Sequence, residues 1–182
     1  MKIFIVVGMP AAGKNIARMF AQKQGFPYFA TGDIVRAEVK KRGLEASAPN
    51  TAKVSDELRG EDGMGVTRRA LATALSQEDD VVFLEGMRSC PEIELIKQEA
   101  PAVVVAFLAP RNLRRDRVVS RGRADDSADA FDDRDLREIS YGASIPIALA
   151  DEYVLNTSTT NHALDKLGAI VSSHMDKQKS DE

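Results

Sequence analysis

Short apolar runs alternate along the chain with stretches that carry helical spacing. After Lys2, the run through Val7 has no polar position, which predicts a strand covered on both faces. Residues 15–24 follow with Ile16, Ala17, Phe20 and Ala21 on one helical face. The same reading predicts further strands at 28–30, 81–84, 102–108 and 153–155. It predicts helices over 33–42, capped by Gly43, over 66–75, after Pro110, over 135–150 with a break at Pro146, and over 163–174. Strands separated by helices imply an α/β fold of three layers, a five-stranded parallel sheet with helices on both faces. Two polar inserts interrupt the alternation, 43–63 with a short helix near 52–59, and 122–133. Inserts of this kind commonly cover a site. Residues 1–175 are expected to form one domain, and the charged end at 176–182 to fray.

Composition narrows the function classes. The formal net charge of −3 argues against a general nucleic-acid surface. Cys90 is the only cysteine, which excludes an intrachain disulfide and a cysteine-rich metal site and fits a reducing cytoplasm. Its expected role is that of a small residue at a helix start. The apolar run at 3–7 is too short to span a membrane. His162 and His174 are expected on helix surfaces rather than in catalysis.

Gly8-Met9-Pro10-Ala11-Ala12-Gly13-Lys14 has the G-x-x-x-x-G-K spacing, between a buried strand and a helix. Backbone N–H groups in such a loop converge on an anion, and the helix that follows adds its positive end. Lys14 would reach the β and γ phosphates of ATP. Asn15 stands where the motif carries Ser or Thr, whose hydroxyl ligates magnesium, and an amide is a poorer ligand for so hard an ion. Ala11 stands where Gly is common. A positive φ there would strain the loop by roughly 1 kcal/mol.

Three later segments carry charge of the kind phosphate chemistry needs. Thr31-Gly32-Asp33-Ile34-Val35-Arg36 opens the second helix, and a guanidinium fork at Arg36 suits a phosphate. Asp33 could equally be a helix cap with Arg36 on the surface. Phe83-Leu84-Glu85-Gly86-Met87-Arg88 ends the third strand, where Glu85 could order water around magnesium or simply be a strand-end carboxylate. Arg121-Gly122-Arg123-Ala124-Asp125-Asp126, with Arg134 and Arg137 beyond, reads either as a closing lid or as a solvated face of mixed charge. Arg114, Arg115 and Arg117 are assigned to the surface of the helix after the fourth strand.

Taken in order, G-x-x-x-x-G-K, G-D-x-x-R, E-G-x-R and R-x-D-D resemble adenylate kinases and other nucleoside monophosphate kinases. The segment 150–156 resembles the last strand of dephospho-coenzyme A kinases. The chain as a whole is similar to an archaeal group of P-loop NTPases related to both, through Gly8-Met9-Pro10, Glu85-Gly86-Met87-Arg88-Ser89 and Arg121-Gly122-Arg123. The resemblance implies a magnesium-dependent phosphotransferase that uses ATP and moves the γ-phosphoryl to a small phosphorylated acceptor, a nucleoside monophosphate first among them. It implies ATP at Gly8 to Asn15, the acceptor at Thr31, Asp33, Arg36 and Arg88, and metal water at Asp33 and Glu85. Lys14, Arg88, Arg123 and Arg134 would carry the transfer. A slow NTPase with a nucleotide-dependent partner is the second expectation, and a nucleotide-binding module without turnover the third.

Overall fold

A computed structural model describes residues 1–121 and 127–180. The predicted three-layer α/β arrangement is present. Strands β1 (Lys2–Val7), β2 (Tyr28–Ala30), β3 (Val81–Glu85), β4 (Ala102–Leu108) and β5 (Glu152–Leu155) form one sheet in the order β2-β3-β1-β4-β5, and every pairing is parallel. The connection from β3 to β4 passes over β1, so β1 ends between neighbours that lie on opposite sides of a crossover. A crevice at the carboxyl end of such a strand is the usual ligand position in open α/β sheets.

Alternation along the strands divides the core between two faces. Phe4, Val6, Phe83, Val105 and Phe107 point to one face. They pack there with Ile16, Ala17 and Phe20 of α1 (Lys14–Gln24) and Leu167 of α9 (Thr160–Ser180). Ile3, Ile5, Val82, Leu84 and Val104 point to the other. Ala70 and Leu71 of α4 (Gly65–Leu75) and Ile93 and Ile96 of α5 (Cys90–Glu99) cover them. Both faces of the central strands are dry, which is why β1 reads as a continuous apolar run.

The first insert is more ordered than its polar composition suggests. α3 spans Ala48–Arg59, capped by Ser47, whose hydroxyl accepts from the Asn50 N–H. Val54 and Leu58 on its inner face meet Val35 and Val39 of α2 (Thr31–Lys41) and Val66 of α4, a third apolar cluster beside the sheet. The second insert is shorter than predicted. Residues 122–126 lie outside the described residues, and α7 (Ala128–Ser140) already occupies 128–133. Ser127 caps α7 by accepting from the Ala130 N–H.

The break predicted at Pro146 falls earlier. α7 ends at Ser140 with Tyr141 as its cap, the chain turns at Gly142, where φ is 89°, and Pro146 is buried inside α8 (Ser144–Ala148). A proline near a helix start costs no intrahelical bond, because the first N–H groups have no partner there. The carboxyl-terminal helix spans Thr160–Ser180. His174 is not a plain surface residue. Its Nε2 lies 2.9 Å from Glu152 Oε1, its ring packs edge-on to Phe4, and its backbone oxygen accepts from Lys2 Nζ at 2.5 Å.

Candidate active site

The loop at 8–13 leaves β1 at the crevice and turns directly into α1, so its N–H groups and the helix start face the same space. Gly13 has φ of 115°, and an added Cβ there would overlap the Asn156 side-chain amide. Asn156 is buried and donates from Nδ2 to the Ala12 carbonyl at 3.0 Å, which packs the chain after β5 against the loop. Ala11 has φ of 58°, the only positive φ of a non-glycine residue among the described residues. The strain predicted for that position is therefore real.

Lys14 folds back over its own loop. Its Nζ donates to the Gly8 carbonyl at 2.6 Å and to the Met9 carbonyl at 3.3 Å. Burial pushes its ammonium below the ordinary lysine range, against the opposing pull of Glu85 and Glu138. A bound phosphate would supply the oxygens that these carbonyls now stand in for.

Arg114 and Arg117 are not the surface residues the sequence implies. They sit on the inner face of α6 (Arg111–Arg121) and hold the loop from outside. Arg114 is buried, donates from Nη1 to the Pro10 carbonyl at 3.1 Å, and makes a two-pronged pair with Asp135 of α7, which is also buried. Arg117 donates to the Ala11 carbonyl at 3.2 Å and the Asn156 carbonyl at 2.8 Å. Arg115 pairs with Asp132 at 3.6 Å and matches the surface expectation more closely. Hydropathy does not reveal buried arginines. The three-residue step from Arg114 to Arg117 was the available signal, since it places both on one helical face.

On the other side of the crevice, β2 and β3 bring their ends beside Lys14. Glu85 pairs in register with Val6 on one side and Ala30 on the other, at the mouth of the crevice. Its Oε2 accepts from the Tyr28 hydroxyl at 2.7 Å. Burial and the adjacent Glu85 carboxylate push the Tyr28 phenol far up, so it stays a donor. Thr31 is buried, and its hydroxyl donates to the Gly86 carbonyl at 3.4 Å. Gly86 has φ of 107°, and a Cβ there would overlap the Thr31 hydroxyl, so only glycine lets the two strand ends approach.

Asp33 divides its oxygens between Arg18 and Arg36, each at 2.5 Å. Partial burial raises its carboxyl, but the hydrogen bonds from both arginines outweigh that and hold it below the usual carboxylate range. Arg18 also lies over the Tyr28 ring, 4.8 Å from its centroid. Arg18 and Tyr28 therefore link Asp33 to Glu85, a connection that sequence reading missed. Arg18 is four residues from Lys14 on α1, spacing that shares a helix face and that could have flagged it.

Lys14, Arg18, Arg36, Glu85 and Arg88 line one cavity of about 220 Å³ together with Glu138. Arg88 reaches it from the loop after β3, with Nε and Nη2 at 2.8 and 3.0 Å from the Glu138 carboxylate. A second cavity, of about 620 Å³, lies on the far side of the loop. Ala11, Gly13 and Asn15 line it with Asn156, Ser158 and Thr160. Asn15 is exposed there. Met9 lines a shallow cavity beside α7 instead. Arg134 is half-buried on α7, and Arg123, Asp125 and Asp126 lie outside the described residues.

Among the described residues, no group of three or more His, Cys, Asp or Glu could hold a metal ion by itself. One carboxylate, Glu85, and the Asn15 amide line the loop-side cavity. That donor set fits magnesium, which is usually held by substrate phosphates, water and one or two carboxylates. No helix among the described residues is long and apolar enough to cross a membrane.

The AAA domain family matches residues 7–132. The UPF0200 protein of Methanosarcina mazei is 37% identical over 164 residues, spanning 87% of this chain and 88% of that protein. The UPF0200 protein of Methanocaldococcus jannaschii is 36% identical over 171 residues, 91% of this chain and 87% of that one. Among solved structures, TT1252 from Thermus thermophilus is similar at a TM-score of 0.66 and 16% identity, covering 94% of this chain and 96% of its own. Shikimate kinase from Aquifex aeolicus is similar at a TM-score of 0.56 and 13% identity, covering 96% and 98%. At those identities the two structures speak for the fold alone. The sequence matches, joined to the loop and sheet described above, place this chain in the UPF0200 family of P-loop proteins with an AAA domain.

Proposed function

We propose that the protein is an ATP-dependent phosphotransferase that moves the γ-phosphoryl to a small phosphorylated acceptor, with nucleoside monophosphates the first compounds to test. The observation that carries this reading is a single cavity in which Lys14 meets Arg36 and Arg88, a donor-phosphate lysine beside two guanidinium forks. The residues 8–15 would hold the triphosphate, with Ser158 and Thr160 near the base side of the loop. When bound with ATP, magnesium supplies charge neutralisation at the phosphate oxygens, and Glu85 would order its water. Asp33, tied to Arg18 and Arg36, would set the direction of the Arg36 fork rather than meet the metal directly. Thr31 would fix the cleft wall, and Arg88 would orient the acceptor phosphate for in-line attack. Arg123 and Arg134 would neutralise charge on the phosphoryl in flight. A phosphate acceptor is already ionised, so no general base is required.

The test is a phosphoryl-transfer screen over nucleotides and coenzyme A precursors with ATP and magnesium, read by product mass. A shifted mass that disappears in Lys14→Ala supports the reading, and no product with any acceptor refutes it. The strained Ala11 and the Asn15 amide favour one alternative, a slow NTPase switch. Hydrolysis indifferent to every added acceptor would select that alternative.

A further inference from the structure

A larger cavity of about 530 Å³ adjoins the acceptor cleft, and Arg36, Arg88 and Glu138 are common to the linings of both. Its far side is made by α3 and α7. Arg59 and Arg137 enter it there, with the hydroxyls of Ser47, Thr51 and Ser55 between. Neither arginine borders the cavity that contains Lys14, so neither is placed to meet the transferring phosphoryl.

Both guanidiniums have donors to spare. The carboxylate nearest Arg59 is Glu92, at 3.9 Å, beyond hydrogen-bond reach. Glu92 is itself occupied: it accepts from the Thr67 hydroxyl at 2.6 Å, the Arg88 N–H at 2.8 Å and the Ser89 N–H at 3.1 Å. Among the described residues, the Arg59 side chain makes one hydrogen bond, a long one of 3.4 Å to the Gly63 carbonyl. Its side chain is only 23% exposed, so solvent cannot satisfy it fully. The guanidinium of Arg137 makes no ion pair among the described residues. Two such forks beside the three hydroxyls match an oxyanion on a polar, hydroxylated molecule, and the two carboxylates on the lining, Asp56 and Glu138, can accept from that molecule's own hydroxyls. Tyr141 is the one aromatic residue on that lining, and the Arg88 guanidinium already lies over its ring at 5.4 Å. The cavity therefore offers no free aromatic plate for a nucleobase.

We infer that the acceptor carries two separated anionic groups, one held by Arg36 and Arg88 beside Lys14, the other by Arg59 and Arg137, with hydroxyls between them. This rests on the reading of the Arg36–Arg88 cleft as the acceptor site. The second anion can be a phosphate or a carboxylate, and the probes separate the two.

The experiment fills the donor site with a nonhydrolysable ATP analogue and magnesium, then titrates the protein calorimetrically with AMP, ribose phosphate, fructose bisphosphate and phosphoglycerate. A charge-assisted fork typically contributes enough to change affinity by about tenfold or more. One of the two bis-anions is expected to bind at least about tenfold more tightly than both mono-anions. Fructose bisphosphate in that place marks a phosphate, and phosphoglycerate a carboxylate. Arg137→Met, at an exposed position, should remove the advantage while leaving the mono-anions and the ATP analogue unchanged. Arg59→Met should do the same, and circular dichroism would show whether it still folds. Equal binding of mono- and bis-anions, or an advantage that survives Arg137→Met, overturns the inference and leaves the acceptor cleft intact. No binding by any of the four, with the donor site filled, overturns the acceptor cleft itself.

Discussion

The guanidinium of Arg88 is held edge-on by the carboxylate of Glu138, with Nε and Nη2 each within 3.0 Å of an oxygen. That fork is the group expected to take an acceptor phosphate. Glu138 is brought to it by α7, which Asp135, one helical turn earlier, fastens to Arg114 and so to the phosphate loop. Arg88 and the loop at 8–13 therefore share one supporting helix.

An acceptor phosphate at Arg88 must displace or sit beside the Glu138 charge. Glu138→Gln keeps the shape and removes the charge. The expected result is an acceptor KM lowered by about tenfold, the worth of one charge-assisted bond, with the KM for ATP unchanged. Steady-state kinetics with the acceptor varied would show it, and a raised acceptor KM would mean that Glu138 supports Arg88 rather than competes for it.

Breaking the Arg114–Asp135 pair should be costly, because both side chains are buried. Asp135→Asn leaves an uncompensated guanidinium and is expected to destabilise the protein by about 3–5 kcal/mol. Replacing both partners with apolar residues of similar size should recover most of that loss. Urea denaturation of the two variants would measure the difference.

Lys14 gives a pH signature. Burial lowers its pKa in the free protein, and triphosphate oxygens would favour the ammonium and raise it again. Between those two values, binding takes up a proton, so ATP affinity falls as pH rises through the window. Below the free-protein value the lysine is charged in both states and no uptake occurs. Calorimetry in buffers of different ionisation enthalpy, at alkaline pH where phosphate no longer titrates, should detect the uptake. Lys14→Ala should abolish it together with tight triphosphate binding.

Ala11 holds φ of 58°, a conformation that costs an L-residue roughly 1–2 kcal/mol. Ala11→Gly removes that strain but adds freedom to the unfolded chain worth roughly 0.4–1 kcal/mol. The expected net effect is a gain of about 0–1.6 kcal/mol, read as a higher urea midpoint at unchanged slope.

The sequence by itself determined the sheet and the phosphate loop. Buried parallel strands need unbroken apolar runs, so β1 and β4 are visible without neighbours, and the loop's glycines and lysine are consecutive. Even the Ala11 strain was legible, because it belongs to one residue's backbone. Tertiary structure decided the partners. Arg114 and Arg117 look like surface charge until α6 lays them against loop carbonyls, and Glu138 looks like helix surface until α7 sets it on Arg88. The early start of α7 at Ala128, the earlier break at Gly142 and the insert's packed face likewise depended on contacts distant in the chain. Hydropathy and motif spacing report which residues must be buried or must turn. Which charge a buried or half-buried arginine finds is set by elements that meet only after folding.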